Sequence, residues 1–115
     1  MRSPTEISLK HLRSKGYTAE VVEHWVPVAH VRRDFIGIID ILAFKPSEFG
    51  VLGIQCTSKS NISARLKKAS FNKKLLSWLK AGNFFEVWGT YKNKARWDIE
   101  KRELVKKKYL PKRKG

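Results

Sequence analysis

At 115 residues, 42% hydrophobic and 11% aromatic, the chain suits one folded domain with a single core and is too apolar for a disordered segment. Its 25 Lys and Arg against 10 Asp and Glu leave a charge of +15, which repels itself unless it meets a polyanion, and nucleic acid is the commonest one. No run approaches the roughly 20 apolar residues of a membrane span, and the opening MRSPTEISLK has no signal-peptide core, so a membrane partner is not expected.

In chain order, SPTEISLKHLRSKG predicts a short helix begun at Ser3 or Thr5, with Pro4 in its first turn and Gly16 as its stop. YTAEVVEHWVPV then reads as one strand ended by Pro27, and AHVRRD as a basic connection. FIGIIDILAF and VLGIQCTS are nearly continuous apolar runs, expected as buried strands joined by the turn KPSEFG into an antiparallel hairpin. The segment from Ser60 to Gly82 predicts a helix with a Ser60 or Asn61 cap, an apolar face of Ile62, Leu66, Ala69, Leu76 and Leu79, and a break near Asn72. FFEVWGTY, the turn KNKA and RWDIEKREL predict a second hairpin before a loose basic tail at 106–115, with residues 1–105 as the single domain. The expected architecture is α/β, a central mixed sheet of about five strands flanked by helices. The four tryptophans are expected in the core or at a subunit interface rather than as base-stacking platforms.

One acid stands inside a predicted buried strand. Asp40 shares a face with Ile38 and Leu42, while Val51, Gly53, Gln55 and Thr57 share a face of the neighbouring strand, joined by Lys59 if that strand continues. A buried carboxylate needs a partner, either an arginine or loop amide in a structural role, or a metal. Cys56 cannot form an internal disulfide and reads as a core thiol of a reducing, cytoplasmic compartment. His11, His24 and His30 lack zinc-ligand spacing.

An Asp on one strand followed by a polar pair on the next resembles the PD-(D/E)XK nuclease superfamily, and within it the small Holliday junction resolvases of archaeal and phage types. The likeness runs over TEISLKHLRSKGYTAEVVE, IDILAF, GVLGIQCTS and RWDIEKREL, and the segments VVE-x-W, IDIL, Q-x-T-S and SN-x-SAR-x-K resemble those of phage-encoded proteins of this kind. The resemblance implies a restriction-endonuclease-like core and a magnesium-dependent endodeoxyribonuclease, acting in DNA recombination as a homodimer on four-way junctions in the cytoplasm of a prokaryotic or phage-infected cell. A nicking or repair nuclease of the same fold, or an inactive DNA-binding module, are the alternatives.

Two positions depart from the motif. Gln55 stands where the family carries Glu or Asp, and Thr57 where it carries Lys. An amide oxygen can bind Mg²⁺ or Mn²⁺ but brings no charge, so Asp40 and Gln55 need a further carboxylate, with Glu23 the first candidate and Glu6 the second. A threonine cannot supply the motif's positive charge, and Lys59 is the candidate to replace it. Arg32, Arg33, Lys59, Asn61, Arg65 and Lys68 are the expected phosphate contacts. Asp34 is expected to be a loop acid pairing Arg32 or Arg33 rather than a ligand.

Overall fold

The computed structural model describes residues 3–105, apart from the Arg32 side chain; the expectation for the 106–115 tail lies outside the described residues. Helix α1, Pro4–Ser14, starts from a capping box in which Ser3 accepts from the Glu6 amide and the Glu6 carboxylate accepts from the Ser3 amide. It lies on one face of a five-stranded mixed sheet built from β1 (Thr18–Val21), β4 (Ile41–Phe44), β5 (Leu52–Ser58), β6 (Phe84–Asn93) and β7 (Arg96–Glu103), ordered β1-β4-β5-β6-β7. A separate two-stranded hairpin, β2 (His24–Val26) with β3 (Val31–Arg33), is inserted between β1 and β4.

β4 and β5 form the expected antiparallel pair, with Leu42 opposite Gly53. The chain then crosses the other face as a 3-10 turn, Lys59–Asn61, and helices α2 (Ile62–Ala69) and α3 (Lys73–Lys80), before entering β6 parallel to β5. The helical segment breaks where Asn72 caps α3, its side chain accepting from the Leu75 amide at 3.0 Å. Restarting the helix resets its phase, so Leu75 takes the fully buried position and Leu76 is only half-buried, against the expectation from one continuous face.

The sheet divides the core. On the α1 face Leu12 packs with Ala19, Ile41, Ala43, Ile54 and Trp88, and on the other face Ile62, Ala69, Leu75 and Leu79 cover Ile39, Phe85 and Val87. Gly89 lets the 3-10 turn lie on β6: a Cβ there would stand 2.6 Å from the Lys59 Cα and from the Ile62 side chain.

Two predicted strands are shorter than the sequence suggests. Residues 35–39 fold into a turn in which Phe35 and Ile39 exchange backbone hydrogen bonds, with Gly37 and Ile36 in left-handed conformation, so β4 begins only at Ile41. The run 17–28 divides after Val21, because its second half pairs with 31–33 around a turn closed by the His30 amide on the Pro27 carbonyl. Trp88 lies in the core, one of the two places expected of the tryptophans, and Trp25 is carried out on the hairpin and is 52% exposed. Among the described residues no helix is long and apolar enough to cross a membrane.

Candidate functional site

Asp40 sits at the entrance to β4, held by the ladder on both sides: its amide donates to the Ile54 carbonyl and its carbonyl accepts from the Val22 amide, each at 2.8 Å. These bonds fix its backbone between β1 and β5, and the Cys56 amide donates to its carboxylate at 2.8 Å. The residue is only 7% exposed. Burial pushes its pKa from 3.8 to about 7, opposed by the Cys56 hydrogen bond and reinforced by the charges of Asp34 and Glu23 and by a hydrogen bond with Asp34.

Those two acids stand at the base of the hairpin, Glu23 immediately before β2 and Asp34 immediately after β3. One carboxylate oxygen from each of Glu23, Asp34 and Asp40 lies within 4.8 Å of the others. Thr5, in the first turn of α1, donates to Glu23 at 3.3 Å and ties the helix start to the cluster. Asp34, expected as a loop acid, does lie in the loop that follows β3, and its carboxylate also joins this cluster. Closing 24–33 into a hairpin brings its two flanks together, and with them the two carboxylates.

The cleft around these acids, about 310 Å³, is lined by Pro4, Thr5, Glu23, Asp34, Asp40, Gln55, Cys56 and Arg65. Gln55 is 8% exposed, and its Oε1 finds no hydrogen-bond partner among the described residues. The three carboxylates and this acceptor could offer a cation oxygen atoms only, which suits hard divalent ions better than zinc. The Cys56 thiol, on the same cleft, is pushed up to about 12, chiefly by burial and then by the Asp40 charge, and so stays protonated. Arg65 reaches the cleft from the first turns of α2 and brings the single fixed positive charge among its lining residues.

The other candidates lie elsewhere. Glu6 is used in the capping box and does not line the cleft. Thr57 is buried beside β6, its carbonyl accepting from Thr90 at 3.4 Å. β5 ends at Ser58, so Lys59 does not continue the Gln55 face; it turns toward the far hairpin, 3.6 Å from Glu100 and 4.5 Å from the Tyr91 ring centre. Asn61 donates to Ser58, and Lys68 is exposed on α2 away from the cleft. Arg33 lines an adjoining cleft with Asp34, Asn72, Lys73 and Lys74, while the Arg32 side chain lies outside the described residues.

Asp34 is the site residue that residue-type reasoning set aside. The available signal was its place one residue after a β-rich segment whose other end carries Glu23. Comparison with known protein families, with curated proteins and with solved structures yields no match for this chain.

Proposed function

We propose that the chain is a divalent-metal-dependent endonuclease of the PD-(D/E)XK kind, with a restriction-endonuclease-like core, acting on branched DNA as a Holliday junction resolvase. The observation that carries this reading is the meeting of Glu23 and Asp34, at the base of the β2–β3 hairpin, with Asp40 at the entrance to β4, in a cleft shared with the unpartnered Gln55 oxygen and in a chain of charge +15. Three like charges so close are costly without a cation, and the donor set fits Mg²⁺ or Mn²⁺. Asp40, Glu23, Asp34 and Gln55 would hold the ion, which supplies Lewis acidity for hydrolysis of a phosphodiester.

The protein's own groups do the rest. Arg65 faces the same cleft and is placed to hold the charge of the phosphate, the part the motif lysine plays in the family. Thr5 orients Glu23, and the Cys56 amide fixes one Asp40 oxygen. Arg33, Lys73 and Lys74 in the adjoining cleft are suited to the next phosphates of the strand. Paired cuts across a junction need two such sites, so the working form in this reading is a homodimer in the reducing interior of a prokaryotic or phage-infected cell.

The test is incubation with a labelled four-way junction and a matched linear duplex in Mg²⁺, Mn²⁺ or EDTA, beside Asp40→Asn. Metal-dependent symmetric cuts in the junction, lost in the variant, are expected. Cleavage indifferent to branching would favour a nicking or repair nuclease, and tight binding without cleavage in either metal an inactive DNA-binding module. Full activity in Asp40→Asn would remove the site from the reading.

A further inference from the structure

The β2–β3 hairpin does not bury its own apolar side chains. Trp25 is 52% exposed, Val28 at the tip 94%, and Val31 on the returning strand is also exposed. A two-stranded hairpin with so little burial is marginal by itself, and a protruding aromatic with an apolar tip marks a surface made for contact. His30, in left-handed conformation, sets its ring edge-on to Trp25 at 6.2 Å and props the indole.

What the hairpin contacts follows from its charge and its place. Residues 24–33, HWVPVAHVRR, contain two arginines, two histidines and no acid. A polyanion is drawn to such a surface on a chain at +15. Basic residues interleaved with an aromatic ring are the usual means of gripping nucleic acid whose bases are unstacked, the ring taking a base face and the cations the backbone. Apolar side chains also serve as wedges between base steps. A fully paired duplex offers an indole no base face without the cost of unstacking.

Position then ties this surface to the cluster. Glu23 and Asp34 are the residues on either side of the hairpin, so whatever binds at the carboxylates lies at its foot. Trp25 is two residues beyond Glu23, at most about 7 Å of extended chain, which matches about two base steps of 3.4 Å.

We propose that the β2–β3 hairpin is a base-stacking wedge that recognises unpaired or unstacked bases, with Trp25 as the stacking residue and Val28 as the tip, and that it confers preference for branched over linear DNA. This rests on the nucleic-acid part of the proposed function and not on catalysis.

The experiment measures binding of the full chain in EDTA to three labelled DNAs: a single strand, a four-way junction and a paired linear duplex. Trp25→Ala is expected to weaken the first two about tenfold and the duplex less than twofold, with Trp25→Phe restoring most of the loss and Val28→Ser falling between. Equal losses on all three DNAs, or no loss on any, would overturn the proposal. So would dissociation of a dimer by Trp25→Ala in sedimentation, which would make the patch a subunit interface. Circular dichroism melts check that each variant folds; should Trp25→Ala not fold, the comparison of Trp25→Phe and Val28→Ser across the three DNAs decides in its place. Cleavage is scored separately: DNA-selective loss with no cleavage by the wild type leaves the wedge standing and removes the nuclease, and cleavage with no Trp25 effect does the reverse.

Discussion

Replacing Asp40 by Asn should stabilise the metal-free protein while abolishing its response to metal. The variant keeps the size of the side chain and an oxygen to accept from the Cys56 amide, but removes a charge that burial and two neighbouring acids oppose. The carboxyl titrates at about 7 in the folded chain against 3.8 in its ordinary state, so the folded form binds the proton more tightly than the unfolded form. Its contribution is therefore fully present below pH 4 and is lost as the pH rises through 7, at about 1.4 kcal/mol for each pH unit between the two values, about 4 kcal/mol in all. Partial exposure of Glu23 and Asp34 screens their share, which makes that figure a ceiling. Urea unfolding in EDTA at pH 4 to 8 measures it. The wild type and Asp40→Asn should be nearly equal at the acid end, and the variant should lead by a growing margin that flattens above pH 7. Taking the difference cancels the self-repulsion of the +15 chain, which both share. Added Mg²⁺ should raise the wild type at pH 8 and leave the variant nearly unmoved. Parallel pH profiles, or a variant less stable than the wild type at pH 8, would refute the account of a buried carboxylate strained by its neighbours.

The other expectations come from the same contacts. Gln55→Glu adds a fourth carboxylate, so it should lower the melting temperature in EDTA and tighten Mg²⁺ on the order of tenfold by calorimetry. Arg65→Ala should reduce junction cleavage on the order of 100-fold, while Lys59→Ala, whose side chain lies toward Glu100 and Tyr91, should change the rate by less than about threefold. Gly89→Ala should cost about 2 kcal/mol in urea unfolding, because the new Cβ meets the backbone of Lys59 as well as the Ile62 side chain. Cys56 should resist alkylation at pH 8 in the native state and react once urea unfolds the chain.

The parts of the fold legible in the sequence are those set by local chemistry. Ser3 followed by Pro4, Asn72 inside a lysine-rich helical run, and two apolar runs joined by a Pro- and Gly-bearing turn each led to the element observed. Asp40 and Gln55 were legible for the same reason, as polar residues on adjacent buried strands. The failures share another cause. Ile36 adopts a left-handed conformation that its residue type does not advertise and turns the chain inside FIGIIDILAF, which reads as uninterrupted, while the segment read as the connection AHVRRD instead supplies the second strand of a hairpin. Ile36 is held there by long-range help, the Asn72 side chain donating to its carbonyl at 3.0 Å from 36 residues away. Lys59 was misplaced because the end of β5 depends on how closely the 3-10 turn approaches Gly89, a packing fact between distant segments.

Charge in the cleft ties these observations together. Read along β5 alone, the chain offers a neutral amide at Gln55 and a hydroxyl at Thr57, with neither an acid nor a cation at those positions. Read in space, the cleft gathers three carboxylates and an arginine, because the inserted hairpin brings Asp34 to Glu23 and Asp40 while α2 brings Arg65 to the lining that includes Gln55. Function at such a site depends on which charges converge, and convergence here comes from elements outside the β4–β5 pair. Charges carried at the base of a hairpin also acquire a mechanical coupling. Anything that displaces the hairpin displaces Glu23 and Asp34 together, so a strand of DNA seated against Trp25 would act on the geometry of the carboxylates themselves.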